Sequence, residues 1–355
     1  MKIAILLDNP ISVYNGVFKA MLNWTIGLKG DLFILNDKNV SQFLRKRNVK
    51  YQIISDLRNI SSMLDKYDCV LYDDASKKLL KAMEEVRIFK VIYVYPVLGL
   101  RPVGGLSVSN YQSIKTRTMV RASRHIPYRF FIRNYIKDLR MADLTITQSF
   151  TSAGILRYYH GIIPDAILPN PVDRTVFKPV KESEKIPNKI LLFLGSGDGD
   201  VDIALLKQLD SFFHESDLKI YVFGYKGALK FIKKSNYQIL DSVTDNELAY
   251  HMATSLYTLI IQEDEPLSYV SMESISSGTP VIASYPEESI INGITGYYAS
   301  KKNYINMIKT ALFSRIGTNT DLFRKASAEF DMNLLSEKLV KLIEEHKNGN
   351  QRKEI

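Results

Sequence analysis

Short apolar runs alternate with longer amphipathic stretches along most of this chain. The alternation is typical of repeated βα units, which build a parallel sheet covered by helices. It occurs twice, so the sequence predicts two doubly wound α/β domains whose ligands lie beyond the carboxyl ends of the strands. The predicted strands of the first half are 2–7, 32–35, 51–54, 69–72, 91–95 and 144–147. Those of the second half are 190–194, 219–223, 238–240, 258–261 and 281–283.

A proline-rich stretch, 168–179, separates the two halves. Its three prolines prevent a continuing helix. The charged run 181–189 that follows is expected to lie in water, so this region is interpreted as a linker. The last periodic segment, 334–346, predicts an amphipathic helix, and the polar tail 347–355 is expected to fray. The expected domains are therefore 1–178 and 179–329.

Composition supports a globular protein with two cores. The chain has 355 residues, of which 46% are hydrophobic. Its single cysteine, Cys69, lies in an apolar run and is expected to be buried, and it builds neither a disulfide framework nor a zinc site. The net charge of +9 favours anionic partners, namely phosphates, an acidic membrane face or nucleic acid.

The apolar runs are short, which bears on the expected location. The first strand is too short for a signal peptide. The longest apolar run, 91–100, falls short of the roughly 18 residues that a membrane span needs. We therefore expect a cytoplasmic protein, with peripheral contact at the inner membrane face as an alternative.

One segment, 258–283, combines a strand, an acidic loop and a helix. Ser268 can cap this helix and Gly278 can end it before the next strand. The free N–H groups of such a helix N-terminus suit a phosphate, and the flanking carboxylates can accept hydrogen bonds from sugar and ribose hydroxyls. The alternative interpretation is one capping glutamate and one exposed helical glutamate, without a ligand.

Glu265 and Glu273, followed by Ser277-Gly-Thr-Pro-Val-Ile-Ala283, form a pattern that resembles the signature of retaining GT-B glycosyltransferases of the family 4 group. Further likenesses occur at 169–173, 177–179, 288–296 and in Phe330 ahead of the final helix. The resemblance implies a GT-B fold, with two Rossmann-like domains facing each other across a cleft. It also implies that the segment 330–355 crosses back to the first domain.

The resemblance further implies a function in glycan biosynthesis. The expected enzyme moves a hexose from a nucleotide-diphosphate sugar to an acceptor hydroxyl with retention of configuration, and it requires no cofactor. Glu265 would bind hydroxyls of the donor sugar, and Glu273 would bind the ribose. Backbone N–H groups of Leu267, Ser268 and Tyr269 would bind the diphosphate.

Gly16 opens the first predicted helix, directly after the first strand. By the resemblance, it would bring backbone close to the donor, since glycine has no side chain to prevent such an approach. A simple turn explains the same residue equally well.

The loop that begins at Gly195 departs from the family pattern. The family carries an arginine just after this glycine and a lysine a few residues on, and both neutralise the leaving diphosphate. Here Ser196 stands in the arginine position, and the lysine position falls among aspartates. Because charge stabilisation is a major part of catalysis, several explanations stay open. In the first, Lys226 supplies the missing positive charge. In the second, a divalent metal bound by Asp198 and Asp200 supplies it. In the third, catalysis is lost, and in the fourth, this loop aligns differently with the family pattern.

The segment 101–140 has the strongest charge asymmetry, with nine Lys or Arg residues against one acid, interleaved with aromatic residues. We expect it to contact an anionic or lipid-linked glycan acceptor or a membrane surface. A solvated helical face is the alternative. The candidate residues are Arg121, Arg124, His125 and Arg129.

A second departure concerns the acceptor side of the first domain. The family often has a histidine at the end of a strand, and Tyr95 stands at that place. The departing phosphate oxygen of a retaining enzyme can itself take the acceptor proton, so the missing histidine does not exclude catalysis. His125 and His160 are other candidates, although ordinary packing explains each of them as well.

Two other functions remain open. One is a sugar-nucleotide-binding or glycan-binding protein without catalysis, and the other is a GT-B nucleotide-sugar epimerase. A nucleic-acid groove also combines basic and aromatic residues. It would leave the pattern around Glu265 and Glu273 unexplained, so nucleic acid is not an expected partner.

Overall fold

A computed structural model describes residues 1–7, 16–35, 44, 49–73, 77–95, 136–137, 139–195, 201–232, 237–241, 243–262, 267–314 and 320–351. These residues form two compact units. The first unit comprises the described parts of Met1–Pro102, Ile126–Pro171 and Phe330–Ile355, and the second comprises those of Val172–Glu329.

The first unit contains a parallel sheet. Its strands are β1 Ile3–Leu7, β2 Asp31–Ile34, β3 Tyr51–Ile53, β4 Cys69–Asp73, β5 Phe89–Val94, β6 Leu144–Thr147 and β7 Ala166–Ile167. They are ordered β3-β2-β1-β4-β5-β6-β7, so the chain changes the direction in which it adds strands after β3. This is a doubly wound topology, as the apolar runs predict. The sequence did not reveal β7, which has only two residues.

The described helices of this unit are α1 Gly16–Leu28, α2 Ile60–Leu64, α3 Lys77–Ala82, α4 Phe150–His160 and α10 Met332–Gln351. Three apolar side chains of α10 are buried, namely Leu335, Leu339 and Ile343. Helix α10 contacts α1 so closely that a side chain at Gly27 would collide with Met332 and Ser336. The final helix therefore belongs to the first unit. Its predicted end at 346 is wrong, because the helix continues to Gln351.

Polar contacts hold the start of the proline-rich stretch to the first unit. The Tyr93 hydroxyl donates to the Leu168 carbonyl at 2.9 Å and to Asn170 Oδ1 at 3.0 Å. Asn23 Nδ2 donates to the Pro171 carbonyl at 2.7 Å. These donors and acceptors are buried, so the backbone leaves the first unit from a fixed position.

The second unit contains a second parallel sheet. Its strands are β8 Lys189–Phe193, β9 Lys219–Phe223, β10 Tyr237–Ile239, β11 Tyr257–Ile260, β12 Val281–Ala283 and β13 Gly296–Tyr298. Their order, β10-β9-β8-β11-β12-β13, is again doubly wound. The prediction of two such domains is confirmed. The sequence did not reveal β13, whose glycine is needed because a Cβ at Gly296 would overlap the Val281 backbone.

The described helices of the second unit are α5 Ile203–His214, α6 Asp245–Ala253, α7 Tyr269–Ser276, α8 Tyr304–Ser314 and α9 Thr320–Ser327. The buried Tyr304 hydroxyl fixes α8 to the sheet, since it donates to the carbonyls of Ile260 and Ile282 at 3.2 and 2.5 Å. Ile260 ends β11, and Ile282 is the next-to-last residue of β12. The core of this unit therefore extends up to the edge where ligands are expected.

One lysine of the charged run 181–189 is buried, and another is half-buried. Lys189 is fully buried, and its Nζ donates to Thr254 Oγ1 at 2.6 Å. Its ammonium also lies over the rings of Tyr221 and Tyr250, at 4.7 and 5.3 Å from the ring centroids. These π faces and the hydroxyl partly replace water around the charge. Burial nevertheless lowers the pKa of Lys189 to about 8.

Lys185 is held in a similar way at the end of α7. Its Nζ donates to the carbonyls of Ser255 and Gly278 at 3.0 and 3.2 Å, and to Thr279 Oγ1 at 3.0 Å. Burial lowers the pKa of this lysine to about 8 as well. The prediction that the whole run is solvated is therefore wrong.

Candidate functional site

The loops that follow β8 and β9 are in direct contact. The Gly195 carbonyl accepts a hydrogen bond from the Tyr225 N–H at 3.0 Å. Gly224 has a φ of 106°, and a Cβ there would lie 2.6 Å from the Gly195 oxygen. A residue with a side chain would therefore separate the two loops. Gly195 and Lys226, which were predicted from different strands, are brought to one edge of the sheet by this contact.

The far end of the Gly195 loop is fixed to the extension of β11. Val201 forms an antiparallel bridge with Gln262. The Asp202 N–H donates to the Ile261 carbonyl at 3.1 Å. The predicted residues between these anchors, Ser196, Asp198 and Asp200, lie outside the described residues. Their roles remain predictions.

Asp202 combines two roles at this edge. Its Oδ1 accepts a hydrogen bond from the Leu205 N–H at 3.0 Å and so caps α5. Its Oδ2 lies 2.5 Å from Lys301 Nζ. Lys301, which follows β13, therefore adds a half-exposed cation to the edge. Sequence reasoning missed it, because only the fold brings the end of β13 to the start of α5.

Lys226 begins a short 3-10 helix, Lys226–Phe231. Its Nζ lies 2.6 Å from Asp241 Oδ1, and both side chains are more than half exposed. Exposed ion pairs contribute at most about 1 kcal/mol to stability. An anionic ligand could therefore draw this lysine away from Asp241 without a large loss of stability.

Helix α7 is buried along its whole length. Glu273 is 1% exposed, which contradicts the alternative that it is a solvated helical residue. The Ser274 hydroxyl donates to the Thr279 carbonyl at 2.9 Å, and Gly278 ends the helix with a φ of 74°. The predicted helix and its glycine stop are thus confirmed. Because it is buried, α7 is a fixed support for whatever binds at its N-terminus.

The N-terminus of α7 is capped differently from the prediction. Within the part of the chain that the structure describes, the Ser268 side chain makes no capping hydrogen bond. The Ser268 N–H instead donates to Glu287 Oε2 at 3.4 Å, and the Ser289 hydroxyl donates to the same oxygen at 3.5 Å. Burial raises the pKa of Glu287 to about 7. Sequence reasoning missed Glu287, since the neighbouring Glu288 fits the motif.

Leu267 and Tyr269 are buried beside Ser268, and their N–H groups belong to the loop and first turn of α7. Glu265 lies outside the described residues. Its proposed contact with the donor sugar stays a prediction.

Comparison with solved structures shows which fold these two units make. HepE from Anabaena, in complex with UDP-glucose, matches 97% of this chain and 100% of its own, with a TM-score of 0.73 and 14% identity. Sucrose-phosphate synthase from Thermosynechococcus elongatus matches 98% of this chain and 100% of its own, with a TM-score of 0.68 and 15% identity. The chain has the GT-B fold.

A third GT-B structure gives the same result. The lipopolysaccharide outer core galactosyltransferase WaaB, in its apo form, matches 97% of this chain and 99% of its own, with a TM-score of 0.62 and 13% identity. No protein-family model matches the sequence. No curated protein matches it either.

In the first unit of this GT-B fold, the structure describes three of the predicted residues. Gly16 begins α1. Tyr95 is buried, with its ring 4.7 Å from that of Tyr93 in an edge-on arrangement. His160 is buried at the end of α4, and burial lowers its pKa. The interpretation of His160 as a packing residue is thus favoured over an acceptor-side role.

The basic candidates of the first half, Arg121, Arg124, His125 and Arg129, lie outside the described residues. Of the segment 101–140, the structure describes only residues 136, 137, 139 and 140.

The described residues contain neither a metal-binding cluster nor a membrane-spanning helix. In the part of the chain that the structure describes, no cluster of three or more His, Cys, Asp or Glu side chains could hold a metal ion. Within the same residues, no helix combines the length and the hydrophobicity needed to cross a bilayer. Asp198 and Asp200, the residues of the metal alternative, lie outside the described residues.

Proposed function

We propose that this chain is a retaining glycosyltransferase that moves a hexose from a UDP-sugar to an acceptor hydroxyl. The observation that carries the proposal is the N-terminus of α7, which lies at the carboxyl edge of the second sheet and has the buried Glu273 in its second turn. The fold adds support. HepE has been solved with UDP-glucose, with UDP and glucose, and with UDP alone.

Each donor group has a proposed partner at this edge. The N–H groups of Leu267, Ser268 and Tyr269 bind the diphosphate, because the N-terminus of a helix favours negative charge. Glu273 accepts hydrogen bonds from the ribose hydroxyls, and Glu265 accepts them from the sugar. A buried carboxylate suits such hydroxyls, since hydrogen bonds to a charged acceptor are stronger than neutral ones.

Lys226 is the proposed source of positive charge for the leaving diphosphate. It follows the loop that contacts Gly195, and its exposed ion pair with Asp241 can open without a large loss of stability. Charge neutralisation on the leaving group lowers the barrier to breaking the glycosidic bond. The departing phosphate oxygen then takes the acceptor proton, so the reaction needs no separate base.

The acceptor is proposed to be an anionic or lipid-linked glycan. The nine basic residues of 101–140 would attract its negative charge, or the face of an acidic membrane. Binding to anionic liposomes tests this proposal. Reversal of charge at Arg121, Arg124 and Arg129 should abolish co-sedimentation, and co-sedimentation that ignores both lipid charge and these reversals would exclude a membrane role.

The donor proposal is tested by thermal-shift and turnover measurements with a panel of UDP-, GDP- and ADP-sugars. UDP-sugars are expected to stabilise the protein, because binding to the folded state alone raises its unfolding free energy. Glu273→Ala should weaken nucleotide binding, whereas Glu265→Ala should weaken discrimination of the sugar. Failure of every nucleotide sugar to bind would refute the proposal.

A second candidate function is donor binding without catalysis. It is favoured by Ser196 in the place of the family's arginine and by Lys226 already paired with Asp241. The same panel separates the two functions. Stabilisation by a UDP-sugar with no release of UDP, with or without acceptors, would favour the binding protein. Turnover of the donor without any acceptor would indicate an epimerase.

A further inference from the structure

Glu287 occupies the position of an anionic ligand at the N-terminus of α7. The residue is 7% exposed, and its Oε2 accepts the Ser268 N–H at 3.4 Å. The Ser289 hydroxyl donates to the same oxygen at 3.5 Å. An N-cap side chain normally fills this place. Here a carboxyl from the loop after β12 fills it instead.

The loop that carries Glu287 is closed on itself, so the carboxyl is held in position. Thr295 Oγ1 donates to the Ser289 carbonyl at 3.2 Å and accepts the Ile291 N–H at 2.8 Å. Gly293 turns the chain with a φ of 78°, and its N–H donates to the Gly296 carbonyl at 3.0 Å. Glu287 is therefore part of a fixed loop.

Among the described residues, the groups that contact the Glu287 carboxyl are polar but uncharged at neutral pH. The N-terminus of helix α7 contributes the Ser268 N–H, and the loop contributes the Ser289 hydroxyl. Helix α8 contributes Tyr304, whose pKa is raised by burial and also by the charge of Glu287. No lysine or arginine of the described chain is among the groups that stabilise the Glu287 carboxylate. The carboxyl thus depends on the helix N-terminus for its charged form.

The same N-terminus is where the proposed donor would place its diphosphate. Two anions cannot share these few N–H groups in a poorly solvated site without strong repulsion. A buried carboxyl relieves such repulsion most easily by taking up a proton. Burial already raises the pKa of Glu287 to about 7, so its protonation near neutral pH requires little free energy.

We infer that Glu287 is a positioning residue that couples donor binding to protonation: it caps α7 as a carboxylate in the free protein, and it takes up a proton when a diphosphate binds at the same N-terminus. This inference rests on the proposed function. It predicts that donor binding depends on pH, whereas the proposed roles of Glu265 and Glu273 predict no such dependence. Donor binding should therefore weaken as the pH rises above neutrality.

Calorimetric titration of the full chain with UDP-glucose, in two buffers of different ionisation enthalpy, tests the coupling. UDP-glucose is preferred to UDP because its diphosphate, substituted at both ends, has no ionisation near neutral pH. At about pH 7.5 the wild type should take up about half a proton or more per ligand bound. Glu287→Gln should take up essentially none.

The affinity gives a second readout. At about pH 8 the glutamine variant should bind UDP-glucose roughly tenfold more tightly than the wild type, because no carboxylate then competes for the helix N-terminus. Glu288→Gln is the matched control, since it removes the same charge from the exposed neighbouring residue. That control should keep the proton uptake of the wild type.

The outcomes separate this inference from the proposed function. Tight binding of UDP-glucose by the wild type without proton uptake would overturn the role of Glu287 and leave the proposed function standing. Uptake that persists in Glu287→Gln would do the same. If the wild type binds UDP-glucose at no pH between about 6 and 8.5, this inference falls. If the other nucleotide sugars also fail to bind, the proposed function falls with it.

Discussion

Lys226 and Glu287 show two ways in which a charged residue can respond to a ligand. Lys226 is exposed and paired with Asp241, so it can change its partner by moving. Glu287 is buried in a closed loop, so it changes its protonation instead. An anion at this edge of the second sheet can therefore be met by movement of one residue and by protonation of the other.

Lys226→Ala tests the proposed source of catalytic charge. Loss of one group that stabilises transition-state charge typically lowers kcat about 100-fold or more. We expect a loss of that size for UDP-sugar turnover, with a smaller change in the affinity for UDP. Lys230→Ala is the matched control, because Lys230 belongs to the same short helix and its ammonium lies over Phe231.

An unchanged kcat in Lys226→Ala would exclude this lysine. The metal alternative makes the opposite prediction, since chelation by EDTA would then abolish turnover while Lys226→Ala would not. Asp241→Ala adds a further check. It frees Lys226 from its ion pair, so turnover should be kept or should rise.

Lys189→Met tests the energetic effect of the buried lysine. The pKa of Lys189 is lowered from 10.5 to about 8 in the folded protein, so between these values the unfolded chain binds more protons than the folded chain. Stability must then rise with pH across this window. The variant lacks this contribution. As the pH rises from about 8 to 10.5, the free energy of unfolding of the wild type should therefore increase by about 1 to 3 kcal/mol more than that of the variant.

Urea unfolding at several pH values between the two pKa values measures this difference. A second readout is His251, whose pKa is lowered to about 4 by burial and, to a smaller extent, by the charge of Lys189. NMR titration should show a higher pKa for His251 in the variant. Parallel stability curves for the two proteins, together with an unchanged His251, would show that folding does not lower the pKa of Lys189.

At the scale of elements, the end of α7 depends on one glycine. Gly278 adopts a φ of 74°, and a Cβ there would lie 2.9 Å from the Cβ of Pro179. Gly278→Ala should therefore lower the free energy of unfolding by about 1 to 3 kcal/mol, through backbone strain and through the clash. Urea unfolding measures the change.

A second glycine provides the control for this prediction. Gly154 lies inside α4, and a Cβ there would meet nothing within 4 Å. Gly154→Ala should be neutral or stabilise the protein by up to about 1 kcal/mol, because alanine has the higher helix propensity. Equal effects at Gly154 and Gly278 would show that the end of α7 is not constrained by its glycine.

At the scale of the whole molecule, the sequence predicts the elements better than the contacts between them. The apolar runs predict both sheets, because a buried parallel strand needs a continuous apolar segment. The same rule misses β13, which has three residues and starts with Gly296. The predicted exposure of Lys189 is wrong for a different reason, because a run of charged residues normally lies in solvent. Glu287 could not be predicted, since only the fold brings it to Ser268.

The final helix makes the first unit depend on both ends of the chain. Helix α10 buries Leu335, Leu339 and Ile343 and belongs to the same unit as α1. Each buried side chain of this kind contributes roughly 1.5 to 3 kcal/mol. Their combined loss is comparable to the whole stability of a typical domain, about 5 to 15 kcal/mol.

A chain that ends at Phe330 should therefore lose the folded first unit and keep the second. Hydrogen exchange measures both units in one experiment, since core strands exchange at the free energy of unfolding of their unit. Amides of β1 and β4 should exchange fast, whereas those of β8 and β11 should stay protected. A chain that ends at Gln351 keeps all of α10 and should match the full-length protein. Protection of β1 in the shorter chain would mean that the first unit folds without α10.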